Sequence, residues 1–173
     1  MSFNLEEAVE ILERTPAVLR AKLEGLSDNW LMADEGPDTW SPLRVVEHFI
    51  HGDTVDWVSR ARIILAHGTD QDFEPYEPAA VVQSTVGRPL GDLLDHFASL
   101  RAENVAALLA MELGPDDLAG TGKHPAFGTV TMEQLLATWV AHDLGHLAQI
   151  DRVMANRWRD EAGPWREYLR ILD

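Results

Sequence analysis

The chain has 173 residues, 29 Asp and Glu against 14 Lys and Arg, a formal net charge of −15 and no cysteine. That length fits one domain over 1–173 with a sizeable core, and the acid excess argues against nucleic acid and against anionic membranes as partners. The missing cysteines exclude disulfides, thiolate metal sites and a cysteine nucleophile, so any thiol chemistry needs a thiol that arrives with the substrate.

The acidic start Met1–Glu7 is unlike an export signal, and no apolar run approaches the roughly 18 residues needed to span a bilayer. A cytoplasmic protein is therefore expected. Asn4 with Glu7 opens a first helix that runs to about Leu26. Pro16 lies inside it and, having no N–H, is expected to kink or restart that helix. Ser41-Pro42 is an N-cap followed by proline at the first helical position, so a second helix starts there and extends to His67, with Gly68 as its stop. Residues 68–87 form a connection of about 20 residues, a length that points to a functional segment or a crossover. Its acids also allow a docking role.

A third helix follows from Arg88-Pro89 to Leu113, stopped by Gly114-Pro115. Residues 114–130 read as loop, because no segment alternates convincingly in the manner of a strand. Thr131 with Gln134 opens a fourth helix from Met132 to Arg157, and a short turn or helix covers Pro164 to Leu172. Four helices of roughly 25 residues are what a four-helix bundle requires. The fold expected is all-α, a four-helix bundle with one long crossover connection at 68–87.

Chemistry concentrates in the fourth helix. Leu135, Trp139, His142, His146, Ile150 and Val153 fall in one stripe, and the i, i+4 spacing stacks two imidazoles where both can reach one ion. Two core histidines satisfied by hydrogen bonds would show the same spacing. His48, at the edge of the second helix's apolar arc and one turn before Gly52, offers a third imidazole from a facing helix. Such a facial set keeps open positions, as catalytic sites do. The stretch His142-Asp143-Leu144-Gly145-His146 also departs from the zinc-protease helix, since Asp stands where the general-base Glu belongs and no strong third ligand follows.

Trp40-Ser41-Pro42 with His48, then His124-Pro125-Ala126-Phe127-Gly128, then Trp139 to Ile150 together resemble the DinB-like superfamily of four-helix-bundle metalloproteins. The resemblance implies a divalent metal, zinc or nickel, held by His48, His142 and His146. It also implies a homodimer and a small-molecule substrate. The activities it suggests are S-transfer from a low-molecular-weight thiol such as bacillithiol or mycothiol, or metal-dependent hydrolysis. A non-catalytic bundle that binds a small ligand or a protein is the competing reading.

The remaining polar residues have simpler expectations. His51 is expected to be exposed, His67 to cap its helix, and His96 to be at most a substitute ligand. His124 should fix its loop or edge a pocket. Asp56 and Arg60 are spaced for an ion pair, and Asp53 projects into the same apolar arc. Asn104 is expected in the pocket, and Gln149 is placed to hydrogen-bond a ligand histidine or a bound water. Asp143 is expected to point about 100° away from His142. Trp30, Trp40, Trp57 and Trp139 read as core residues or covers of the bundle ends.

Overall fold

The computed structural model describes residues 3–75 and 87–173. Four long rods form the bundle: α1 (Leu5–Leu23), the pair α3 (Pro42–Val55) and α4 (Trp57–His67), α5 (Leu90–Leu109), and α7 (Met132–Asn156). Short helices α2 (Asp28–Leu31) and α6 (Pro115–Ala119) decorate it, and two 3-10 turns (Gly163–Tyr168, Arg170–Leu172) close the chain. The all-α four-helix bundle is therefore observed. Capping begins the rods as expected: Asn4 accepts from the Glu7 amide, Ser41 from the Arg44 amide, and Thr131 and Gln134 bond reciprocally.

Three local expectations need correction. First, α1 continues through Pro16 without a break, and it ends at Leu23 rather than Leu26. Second, the second rod is interrupted at Asp56, whose backbone (φ −106°, ψ −80°) leaves the helical region. The bend turns Trp57 back over Gly52, where a Cβ would meet its Nε1 at 3.3 Å, and lets it stack on Trp139 at 5.7 Å. Third, residues 121–131 are not loop but an antiparallel hairpin, β1 (Thr121–His124) with β2 (Gly128–Thr131). The hairpin is held by contacts distant in sequence. Phe73 donates its amide to the Lys123 carbonyl, and Gly122 lies so close under Phe73 and Ile64 that a Cβ would come within 2.8 Å of both.

Two apolar clusters fill the bundle. One gathers Leu12, Trp57, Val105 and Trp139; the other gathers Leu19, Phe49, Phe97 and Ile150. Each long rod contributes to both, and the order gives its direction: α1 and α7 run from the first cluster to the second, α3/α4 and α5 from the second to the first. Two successive rods running the same way is the arrangement a crossover over 68–87 produces. Residues 76–86 of that connection lie outside the described residues.

Between the clusters, every rod places a buried polar residue: Thr15 on α1, Asp53 on α3, Arg101 on α5 and Asp143 on α7. A polar layer therefore crosses the middle of an otherwise apolar core. The catalytically suggestive histidines stand beside this layer.

Candidate metal centre

His142 and His146 lie one turn apart on α7, and their rings meet at 4.4 Å between centroids. His48 reaches them from α3, with its ring 4.9 Å from His142 and 4.6 Å from His146. One nitrogen from each of the three lies within 4.8 Å of the other two. The structure thus brings together all three residues singled out in the sequence. Among the described residues, His51, His67, His96 and His124 stay outside this group.

Neighbouring rings hold the imidazoles in place. Trp40, just ahead of α3, stacks on His146 at 5.7 Å and leans on His48 at 4.6 Å. Phe49 presents its face edge-on to both His142 and His146. The Nδ1–H of His146 donates to Gln149 Oε1 at 2.7 Å, which leaves Nε2 as the lone-pair nitrogen. Gln149 therefore has the orienting place expected of it.

His48 Nε2 and His142 Nε2 face each other at 2.8 Å. With Zn–N bonds of about 2.0–2.1 Å at tetrahedral angles, two donors sit about 3.3 Å apart, so a small ring rotation opens the pair around an ion. Three nitrogen donors suit zinc, nickel or a similar divalent cation. Burial, then repulsion from His142 and His146, pushes His48 down to about 3, and burial and His142 also hold His146 below its ordinary value. Neutral imidazoles are the ligand form, so the donor set fits a metal.

A cavity of about 390 Å³ opens beside the triad. His48 and His142 form part of its wall, with Gly52, Trp57, Phe73, Val130 and Leu135 supplying apolar surface. Asp56 and Arg60 also line it and form the expected ion pair. Burial raises Asp56 above the usual carboxylate range despite Arg60. His124 serves both roles expected of it. Its Nδ1 accepts the amides of Ala126 and Phe127 at 3.1 and 3.3 Å, and its ring edges the cavity, stacked under Phe127 at 4.5 Å.

Some expectations are corrected. Asn104 is not a cavity residue; its Nδ2 donates to the Asp53 carbonyl at 2.6 Å within the polar layer. His51 is half-buried rather than exposed, and burial lowers its pKa. Asp143, expected only to point about 100° away from His142, is fully buried and pairs with Arg101. Reasoning from sequence missed Arg101 altogether. A signal was present: Phe97, Arg101 and Val105 follow each other at the four-residue spacing of a core stripe.

The polar layer touches the triad through Asp143. Burial alone would raise its pKa, but His142 and Arg101 outweigh burial and hold it below the usual range. Asp53 is raised, because burial exceeds what Arg101 restores. Burial opposes the charge on Arg101, yet the two aspartates more than compensate and its pKa is raised.

Fold and site together define a four-helix-bundle protein with a three-histidine centre open to an apolar cavity. The chain belongs to the DinB superfamily, whose family model matches residues 11–150. It is similar to YfiT from Bacillus subtilis, described as a probable metal-dependent hydrolase with an unusual four-helix bundle topology. That likeness has a TM-score of 0.71 at 21% identity, over 88% of this chain and 86% of that one. It is also similar to TT2238, a four-helix bundle protein, with a TM-score of 0.52 at 25% identity over 86% of this chain and 98% of that one. Comparison with curated protein sequences yields no match. No helix among the described residues is long and apolar enough to cross a membrane.

Proposed function

We propose that this chain is a metal-dependent enzyme of the thiol S-transferase type. His48, His142 and His146 hold one divalent cation, zinc or nickel, and the adjoining cavity receives a small electrophile. The observation that carries the reading is the convergence of three imidazoles, two of which, His48 and His142, stand in the wall of a 390 Å³ apolar cavity. A cation held by three neutral ligands keeps its full charge and supplies the Lewis acidity that brings a thiol or water close to ionisation near neutral pH.

The chain's own residues bind, orient and dry the reactants. Trp57, Phe73, Val130 and Leu135 exclude water and grip an apolar substrate body, while Phe127 and His124 stand at the rim. Gln149 fixes the His146 ring. Asp56, the carboxylate lining the cavity, is engaged by Arg60 and is poorly placed to strip a proton from water. A thiol, with a free pKa of about 8.5, needs less help than water to ionise, which favours sulfur as the nucleophile. The chain has no cysteine, so that thiol is a second, low-molecular-weight reactant.

Hydrolysis is the second reading, favoured by the description of YfiT as a probable metal-dependent hydrolase. Metal analysis after incubation with zinc or nickel tests the shared premise. About one ion per chain is expected, lost in His48→Ala, and less than about 0.2 ion per chain rejects it. Loaded protein is then offered electrophiles with and without low-molecular-weight thiols. Thiol consumption supports transfer, whereas turnover without thiol supports hydrolysis.

A further inference from the structure

Arg101 is 1% exposed and uses all five of its N–H donors. Its Nε and Nη2 form a fork on Asp53 at 2.8 and 2.9 Å. Nη1 and Nη2 reach the two oxygens of Asp143, the second at 3.2 Å, and Nη1 also donates to the Leu12 carbonyl at 3.1 Å. Phe97 and Trp139 lie against the guanidinium at 4.9 and 5.1 Å. Asp53 sits five residues after His48 on α3, and Asp143 directly follows His142 on α7. One side chain from α5 therefore ties together the two helices that carry the triad.

A buried ion cluster is a poor device for stability alone, since desolvation offsets most of the attraction and apolar residues of similar shape serve packing as well. This cluster also holds one more carboxylate than guanidinium, a formal negative surplus beside three imidazoles. His142 Nδ1 is buried, makes no hydrogen bond of ordinary length, and lies 3.5 Å from Asp143 Oδ1. A small ring rotation turns that contact into a hydrogen bond.

We propose that Asp143 and Arg101 are positioning residues for the three-histidine centre. Asp143 accepts the Nδ1–H of His142 and so keeps the His142 Nε2 lone pair facing His48, while Arg101 holds Asp143 and Asp53 at a fixed separation. His48 Nε2 then donates to His142 Nε2 in the metal-free protein. The consequence for metal affinity rests on the metal-centre reading above, but the tautomer does not. Carboxylate–histidine pairs of this kind are a general means of fixing ligand orientation.

Asp143→Asn discriminates this role from simple packing. Its amide oxygen must turn to Arg101, which presents the amide N–H to His142 Nδ1 and moves the ring proton to Nε2. Long-range 1H–15N NMR of histidine-labelled, metal-free protein at neutral pH reads the tautomer directly. Wild type is expected to carry the proton of His142 on Nδ1 and Asp143→Asn on Nε2, with zinc affinity about 10–100-fold weaker in the variant. Arg101→Lys, which keeps the charge but loses the fork, is expected to lower zinc affinity about 10-fold while far-UV circular dichroism stays native. A wild-type His142 protonated on Nε2 overturns the proposal even if both variants fail to fold. Folded variants with wild-type tautomer and affinity overturn it as well. A wild-type protein with the Nδ1 tautomer but no metal uptake supports the positioning role and refutes the metal reading alone.

Discussion

Pro16 and Arg101 meet at a single carbonyl. In an unbroken α1 the residue at position 16 would donate to Leu12 O, but proline has no N–H, and Arg101 Nη1 takes that oxygen instead at 3.1 Å. The helix tolerates its proline because another helix satisfies the acceptor that the proline abandons. The same exchange gives the guanidinium its fifth partner and anchors α1 to the polar layer.

Replacing Pro16 is therefore expected to be mild. Pro16→Ala restores a helical donor, and a carbonyl has two lone pairs, so Arg101 need not be displaced. Proline costs up to about 3 kcal/mol against alanine in a helix interior, but here much of the loss is already offset. A gain of about 1 kcal/mol is expected from urea unfolding. A destabilised variant would show that the proline, rather than Arg101, organises this carbonyl.

Acidification should weaken the metal-free protein. His48 is pushed down to about 3 by burial and by its two histidine neighbours, and His146 is lowered for the same reasons. Unfolded, both bind protons at about 6.5. Between those limits the unfolded chain holds more protons than the native one, so stability rises with pH across the window and is lost as pH falls below about 6.5. Melting of chelator-treated protein should show Tm dropping from about pH 7 to about pH 5, with a shallower slope in His48→Gln. An equal slope in the two proteins would contradict a buried, neutral His48.

How much of this was legible in the sequence follows from what is local. The i, i+4 pair of His142 and His146 is fixed by helix geometry, and His48 declared itself at the edge of an apolar arc. Caps at Asn4, Ser41 and Thr131 were equally local. The polar layer was not, because a helical wheel places Asp143 on a different face from His142 without saying that Arg101 waits there. Core spacing from Trp139 to Asp143 and from Phe97 to Arg101 was the available clue, and charge argued against reading it as core. The hairpin at 121–131 was hidden for another reason. Its strands are four residues each, and they are held by Phe73 and Ile64, far away in the chain.

Gly122 carries a packing demand that a larger residue would break. A Cβ there meets Phe73 at 2.7 Å and Ile64 at 2.8 Å, and both side chains are buried with little room to retreat. Gly122→Ala is expected to cost about 1–3 kcal/mol, as overpacking typically does. It should also shift Phe73 out of the cavity wall. Thermal melting measures the first effect and binding of an apolar fluorescent probe the second. A variant as stable as the parent would mean that the hairpin slides away from Phe73 without loss.

Phe127 should separate binding from stability. It is 79% exposed, yet its ring stacks on His124 at 4.5 Å and it lines the mouth of the cavity beside the triad. An exposed ring contributes little to folding, so Phe127→Ala should change stability by less than about 0.5 kcal/mol. The same change removes apolar surface from the site where a substrate enters. Desolvating an aromatic contact at about 25 cal/mol per Å² makes even 60 Å² of lost contact worth about 1.5 kcal/mol, or roughly tenfold in affinity. Titration of metal-loaded protein with an apolar electrophile analogue should therefore weaken about tenfold while Tm and metal content hold. Unchanged binding would move the substrate entrance away from the hairpin. A fall in metal content would instead tie the hairpin to the triad.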